Sequence, residues 1–223
     1  MARNNLTNQA YHEIKRKILD NKWYPGYSIL LPQIAEELNM SRTPVREALI
    51  KLEHEGLIRI FPRRGVIVEP LRMKDIIEIY DLMEILEGLE ARLLAKQVKK
   101  NHSLTKEMEK IIIEGKAFVD KNNLDINEWA EYDIRFHNFL RNRCGNQRLK
   151  SLGELINDQV YRARMITLKI RPFPINSINE HNEIYKAIKN GDEYNAEIMA
   201  RKHRLNGKKM VIEAIDRINL VNI

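Results

Sequence analysis

Ser41-Arg42-Thr43-Pro44-Val45-Arg46-Glu47-Ala48-Leu49 decides how this chain is read. Ser41 is a good N-cap and Pro44 is tolerated in a first turn, so a helix opens here. Val45, Ala48, Leu49 and Leu52 recur at helical spacing and form its apolar stripe. Arg42 and Arg46 lie four apart and share a face away from that stripe. Gly56 ends the helix. Upstream, Leu6, Ala10, Tyr11, Ile14, Ile18 and Leu19 predict an amphipathic first helix, closed by the turn Trp23-Tyr24-Pro25-Gly26. A short helix follows from Pro32, turns Ile34, Ala35 and Leu38 inward, and breaks at Asn39-Met40. Downstream, residues 57–61 and 66–68 are strand-like runs around Pro62-Arg63-Arg64-Gly65, a hairpin with a basic tip.

Three helices followed by a hairpin is the order of a winged helix. Its physics suits DNA. The helix opened by Ser41 presents Arg42, Thr43 and Arg46 in its first turn and a half, beside free N–H groups suited to phosphate. Arginine is the usual bidentate reader of guanine in the major groove. Arg63, Arg64 and Gly65 are placed to track a phosphate or enter the minor groove. The same order of elements also serves protein-interaction modules. With Leu52, Glu55-Gly56-Leu57-Ile58 and Arg63-Arg64-Gly65, however, the stretch at 41–49 closely resembles the winged helix of GntR-family bacterial transcription regulators, over about residues 6–68. The resemblance implies that Ser41, Arg42, Thr43 and Arg46 meet DNA and that Arg63, Arg64 and Gly65 form an inserting wing. The sequence departs from it at Leu31-Pro32-Gln33, where such proteins often start the second helix with a charged residue.

The chain changes character near residue 70. We read residues 1–70 as the winged domain, 71–73 as a linker and 74–223 as an all-helical domain. Ile76, Ile79, Leu82, Met83, Leu86, Leu89, Leu93 and Leu94 predict a helix over 75–98. Ser103 predicts a cap for a helix from 104 to about 121. Asp125-Ile126-Asn127-Glu128 reads as a capping box opening a helix to about 142. After Gly145-Asn146 a long helix runs to about 170. Ser177-Ile178-Asn179-Glu180 reads as a second capping box, its helix ended by Asn190-Gly191. Asp192 caps a last helix to about 218. The fold class is therefore mostly α: a winged helix-turn-helix followed by a bundle of about six helices.

One constellation in the bundle carries chemistry. Asp133 and His137 are four apart and project from one helix face. His181 and His203 lie on the last two helices. A carboxylate and three imidazoles suit a divalent transition metal. Only two of the four are local, and each His alone also reads as a hydrogen-bonded polar residue. Glu131-Tyr132-Asp133-Ile134-Arg135-Phe136-His137-Asn138-Phe139-Leu140, then Glu180-His181, Gly191-Asp192, Ala196 and His203, is similar to the FCD ligand domain of the FadR subfamily, and six helices resemble its VanR-like branch. The resemblance implies that Asp133, His137, His181 and His203 hold a metal (Zn, Ni, Mn or Fe), with water or an organic carboxylate completing the shell. It also exposes a departure. Met83 stands where the family often places an arginine for the effector's carboxylate, which leaves three readings: Arg135, Arg162 or Arg164 replaces it, the effector is not a typical sugar acid or small carboxylate, or the metal is structural.

Composition bounds the rest. In 223 residues, 38 Lys+Arg outweigh 31 Asp+Glu, for a net +7. That favours a polyanion partner, but 11 basic and 8 acidic residues fall in 1–70, so the excess is not concentrated in the DNA reader. Cys144 alone excludes a disulfide framework and fits a reducing cytosol. The polar start, Met1 to Asn8, has no signal-peptide core, and no apolar run is long enough to span a membrane. The clusters Arg141/Arg143/Arg148/Lys150 and Arg201/Lys202/Arg204/Lys208/Lys209 read as solvated helix faces. The expectation is a cytoplasmic, ligand-responsive transcription regulator and not an enzyme. It would be a homodimeric repressor on a palindromic operator, with a small-molecule effector, an organic acid being the candidate, and no membrane partner. A metal-dependent enzyme and a constitutive DNA reader with a structural bundle are the competing readings.

Overall fold

The computed structural model describes residues 2–62, 64–119, 125–168, 170 and 172–217. Arg63, and the predicted helix ends near 121 and 218, lie outside the described residues. The winged unit is α1 (Ala2–Leu19), β1 (Ser28–Ile29), α2 (Leu31–Glu37), α3 (Arg42–His54), β2 (Ile58–Phe61) and β3 (Gly65–Val68). Ile14, Val45, Ala48, Leu49, Leu52 and Leu57 are sealed from solvent, so the stripe read from 45–52 is the face α3 turns to α1. Thr7 donates to Glu47 and Tyr11 to Glu55, fixing α1 along α3 at both ends.

Two local readings change. The sheet has three strands, not two: β1 pairs antiparallel with β3, Ser28 opposite Ile67 and Ile29 opposite Val66. Gly65, at φ +92°, makes this approach possible, since a Cβ there would sit 2.5 Å from the Ile29 carbonyl oxygen. Ser41 occupies the N-cap of α3, but its hydroxyl makes no capping hydrogen bond. The helix start rests on the backbone conformation and on Pro44 instead.

The helical unit is α4 (Met73–Val98), α5 (Ser103–Val119), α6 (Ile126–Arg143), α7 (Gln147–Leu168), α8 (Ile175–Lys189) and α9 (Glu193–Arg217). Helix α4 is central and packs against α9, α7, α8 and α6. Asp125 caps α6 through the Asn127 N–H at 2.7 Å, and Asp192 caps α9 through the Asn195 N–H at 3.0 Å. The Ser103 cap is corrected, since Asn101 Oδ1 accepts from the Ser103 N–H instead. The second capping box is corrected too. Helix α8 starts at Ile175 behind Pro174, which leaves Ser177 inside its first turn and frees Glu180 for other work. No described helix is long and apolar enough to cross a membrane.

The two units meet on α7. Lys15 bridges Glu55 at 2.9 Å and Asp158 at 2.5 Å. Gln159 donates to the Glu55 carbonyl at 3.1 Å, and the buried Arg162 donates to the Glu69 carbonyl at 2.7 Å. Leu71 is buried against the bundle, and Met73 begins α4.

Candidate functional site

The helix period puts Asp133 and His137 on the inner face of α6. Packing of α8 and α9 brings His181 and His203 against them. One donor atom from each of the four lies within 4.8 Å of the others, and all four residues are buried. The Nε2 atoms converge: His181 to His203 at 3.2 Å and His203 to His137 at 3.4 Å. Asp133 Oδ2 is 3.5 Å from His137 Nε2, and Oδ1 is 3.7 Å from His181 Nε2.

Each opposite ring nitrogen has a polar neighbour, although His137 Nδ1 meets its neighbour outside hydrogen-bond geometry. His137 Nδ1 lies 2.8 Å from Glu87 Oε2, His203 Nδ1 lies 2.7 Å from Glu180 Oε2, and His181 Nδ1 lies 3.0 Å from the Tyr132 hydroxyl. A carboxylate only accepts, so we assign the proton of His137 and His203 to Nδ1. Their Nε2 lone pairs then face one another. That arrangement is repulsive unless a cation sits between them, and it is the outer shell that metal-ligating imidazoles carry. The residues present therefore fit a divalent metal.

The electrostatics favour the neutral form of His181 and His203. Burial, then the neighbouring His203, push His181 well below the ordinary imidazole range, and burial lowers His203 against the pull of Glu180. Burial alone would raise the Asp133 carboxyl, but Arg164, then His137 and His181, hold it well below its usual value. Glu87 is likewise held low against burial by Arg204 and His137. A neutral His181 and His203 beside an ionised Asp133 are forms a metal requires.

Of the candidate effector residues, Arg164 reaches the cluster and hydrogen-bonds Asp133 Oδ2. Arg135 pairs with Glu114 on the surface, and Arg162 is spent on the Glu69 carbonyl, so both are engaged away from the cluster. Met83 is fully buried among Ile79, Tyr80, Val160 and Ala163, between α4, α7 and α9. The solvated-face reading of the basic clusters fails at two members: Arg141 is buried beside Glu90, and Arg204 is buried on Glu87. Glu87, Glu180 and Tyr132 stand behind the imidazoles, with Arg204 on Glu87, and the sequence reading gave none of them a place at the cluster.

On the winged unit, Ser41, Arg42, Thr43 and Arg46 are exposed along the start of α3, and Arg64 is exposed beside the half-buried Gly65 at the hairpin tip. The chemistry is that of a basic helix end with an adjacent basic loop.

Comparison with known proteins accounts for both halves. Residues 6–68 match the family model described as bacterial regulatory proteins, gntR family, and residues 78–206 match that of the FCD domain. An HTH-type transcriptional regulator of Agrobacterium vitis, from the TAR-I ttuE-ttuC' intergenic region, is 39% identical over 135 residues, 59% of this chain and 76% of its own. The HTH-type transcriptional repressor RspR of Escherichia coli is 26% identical over 84% of this chain and 80% of its own. The solved structure of E. coli McbR/YncC superposes with a TM-score of 0.78 over 93% of this chain and 97% of that one. At 18% identity, that likeness is one of fold.

Proposed function

Because the chain belongs to the GntR family of bacterial regulatory proteins and joins that family's winged reader to an FCD domain, we propose that it is a metal-assisted, effector-responsive repressor. It is a DNA-binding transcription regulator, not an enzyme, and the metal-dependent enzyme reading is set aside on that ground. The finer reading has three parts.

First, a homodimer places two α3 helices in successive major grooves of a palindrome, with Arg42, Thr43 and Arg46 at base edges and phosphates and the hairpin tip beside them. An apolar strip on the outer face of α4 supports the dimer: Leu82 is 53% and Ile85 58% exposed, too apolar for a helix face meant only for water. Second, repression is supported by the relative that carries that description. Third, Asp133, His137, His181 and His203 hold a divalent metal that helps recruit a small organic acid. The observation that carries this part is the convergence of the three Nε2 atoms on one another beside Asp133, all four residues being buried. When bound, the metal supplies Lewis-acid attraction for an anionic ligand. Glu87, Glu180 and Tyr132 orient the rings.

Operator DNA titrated by gel shift, at two salt concentrations, tests the DNA part. Arg46→Ala is expected to weaken specific binding by about 1–3 kcal/mol if it reads a base. Unchanged affinity would refute the docking.

A further inference from the structure

Helix α3 exposes one residue that phosphate and hydrogen-bond chemistry cannot use. Thr43, Arg46 and Ile50 stand at i, i+3 and i+7, which is one face of the helical period, and all three are exposed. Ile50 is 46% exposed, and an isoleucine offers nothing to a phosphate. The polar residues around it turn elsewhere. Glu47 accepts from Thr7 and Lys51 donates to Asn8, both on α1, while Glu53 accepts from the Ile60 N–H of the wing. Beyond Arg46, Ile50 is what α3 presents on the face of Thr43.

Ile50 is also part of a larger apolar surface. It lines a groove of about 630 Å³ between α3, the start of α2 and the wing, with Leu30, Pro32, Phe61 and Pro62 among the other walls. Arg46 and Gly65 line the same groove. Leu30, itself 45% exposed, packs on Gly65, where a Cβ would come within 3.1 Å of its Cδ2. The groove is therefore continuous with the surface that meets DNA. A single exposed apolar side chain needs no explanation, but a contiguous apolar surface does. Duplex DNA offers one apolar group on its base edges in the major groove, the 5-methyl of thymine. Side chains spread over two turns of a recognition helix reach base edges in the same major groove.

We propose that Ile50 is a specificity residue of this DNA reader: it packs on the 5-methyl group of a thymine, next to the base pair that Arg46 meets. The inference rests on the docking of α3 given above and adds to it one base and the residue that reads it. Arg42 and Arg46 select by hydrogen bonds, whereas Ile50 selects by apolar contact. Cytosine is rejected at this position. It lacks the methyl, and its amino group would lose water without gaining a partner. The apolar walls behind Ile50 keep water from the contact.

The test is selection of binding sites by the full-length protein from a pool of random duplexes. Affinity is then measured on the selected duplex and on copies in which each thymine in turn is replaced by deoxyuridine, which lacks only the methyl. The wild type should enrich thymine at one fixed position of the half-site, and deoxyuridine there should weaken binding about fourfold, the worth of one buried carbon. Ile50→Ala should enrich no base at that position and bind the two duplexes alike. Ile50→Arg should shift the selected pair to G·C. Thymine enrichment that persists in Ile50→Ala overturns the proposal, as does a wild type indifferent to deoxyuridine at every thymine of the selected site. Arg46→Ala that binds the selected duplex as tightly as the wild type would instead sink the docking beneath it.

Discussion

Replacing Glu87 by methionine separates two roles that one carboxylate plays. Glu87 is fully buried, and its Oε2 is shared between Arg204 and His137 Nδ1. Removing it strands the Arg204 charge, which is 4% exposed. Breaking a buried pair from one side costs about 3–5 kcal/mol, whereas replacing both partners by apolar groups of similar volume is often neutral or stabilising. The metal-free helical domain of Glu87→Met should therefore lose about that much in urea denaturation, and Glu87→Met/Arg204→Met should recover most of it. Trp129, buried in the helical domain, reports the transition cleanly in a Trp23→Phe background, because Trp23 belongs to the winged unit. Metal affinity should behave differently. Loss of a partner behind a ligating His usually costs about 10–100-fold, and both variants lack it equally. The expected pattern is one destabilised variant, one nearly normal variant and two poor metal binders. A double variant as unstable as the single one would refute the pairing of Glu87 with Arg204. Zinc affinity within twofold of wild type would refute its hold on His137.

Glu90 gives a pH prediction. Both of its carboxylate oxygens lack hydrogen bonds, Arg141 Nε stands 3.7 Å away, and burial, then Glu87, push its carboxyl up to about 8. A raised carboxyl means the folded state holds the proton that the unfolded chain has released. Its stabilising contribution is whole below the unfolded value near 4.5 and is lost as pH rises through 8, by about 1.4 kcal/mol per pH unit at the steepest. Urea midpoints of the wild type should fall over this window more than those of Glu90→Gln, and parallel curves would refute the assignment. Gly115 on α5 gives a steric prediction. A Cβ there would collide with the Tyr132 ring and hydroxyl, so Gly115→Ala should lift Tyr132 off His181 Nδ1 and cost about 1–3 kcal/mol in overpacking. It should weaken zinc about as much as Tyr132→Phe does, though the latter should cost only about 1 kcal/mol of stability; equal zinc affinity in Gly115→Ala and wild type would show that Tyr132 does not orient the ring.

What the sequence made legible follows from how local each signal is. The stripe at Val45, Ala48, Leu49 and Leu52 needs only the helical period, and it faces the core as read. Strand β1 was illegible because two residues, Ser28 and Ile29, carry no alternation; β3 makes them a strand. The false capping box at Ser177 has the right letters, but Pro174 starts the helix earlier and Glu180 is drawn to His203. At the metal site, Asp133 and His137 are a local i, i+4 pair, whereas His181 and His203 arrive by packing, and spacing could not join them; the resemblance did. A readable signal was passed over on α4. Met83, Ala91 and Leu94 are its buried stripe, and Glu87 and Glu90 stand on the same face. Two acids on the apolar face of a helix need buried partners, and that demand could have pointed to Arg204 and Arg141.

The two units resolve the same problem of stability in opposite ways. Among the described residues, the buried polar side chains of the winged unit reduce to Thr7, and its core is otherwise apolar. The helical unit buries Glu87, Glu90, Asp133, Arg141, Arg162, Arg164 and Arg204 together with three imidazoles. Such burial is weak evidence for stability, since well-packed apolar residues usually do as well or better. A rigid apolar core suits a module that must present α3 in one geometry. A charged core whose pairs are incompletely satisfied suits a module whose equilibrium a ligand has to move, because the ligand supplies what the fold leaves unmet. Arg164 and Arg162 stand two residues apart on α7, the first on Asp133 and the second on the Glu69 carbonyl at the base of the wing. The charged core thus ends directly on the apolar one, with the two arginines within one helical turn of each other.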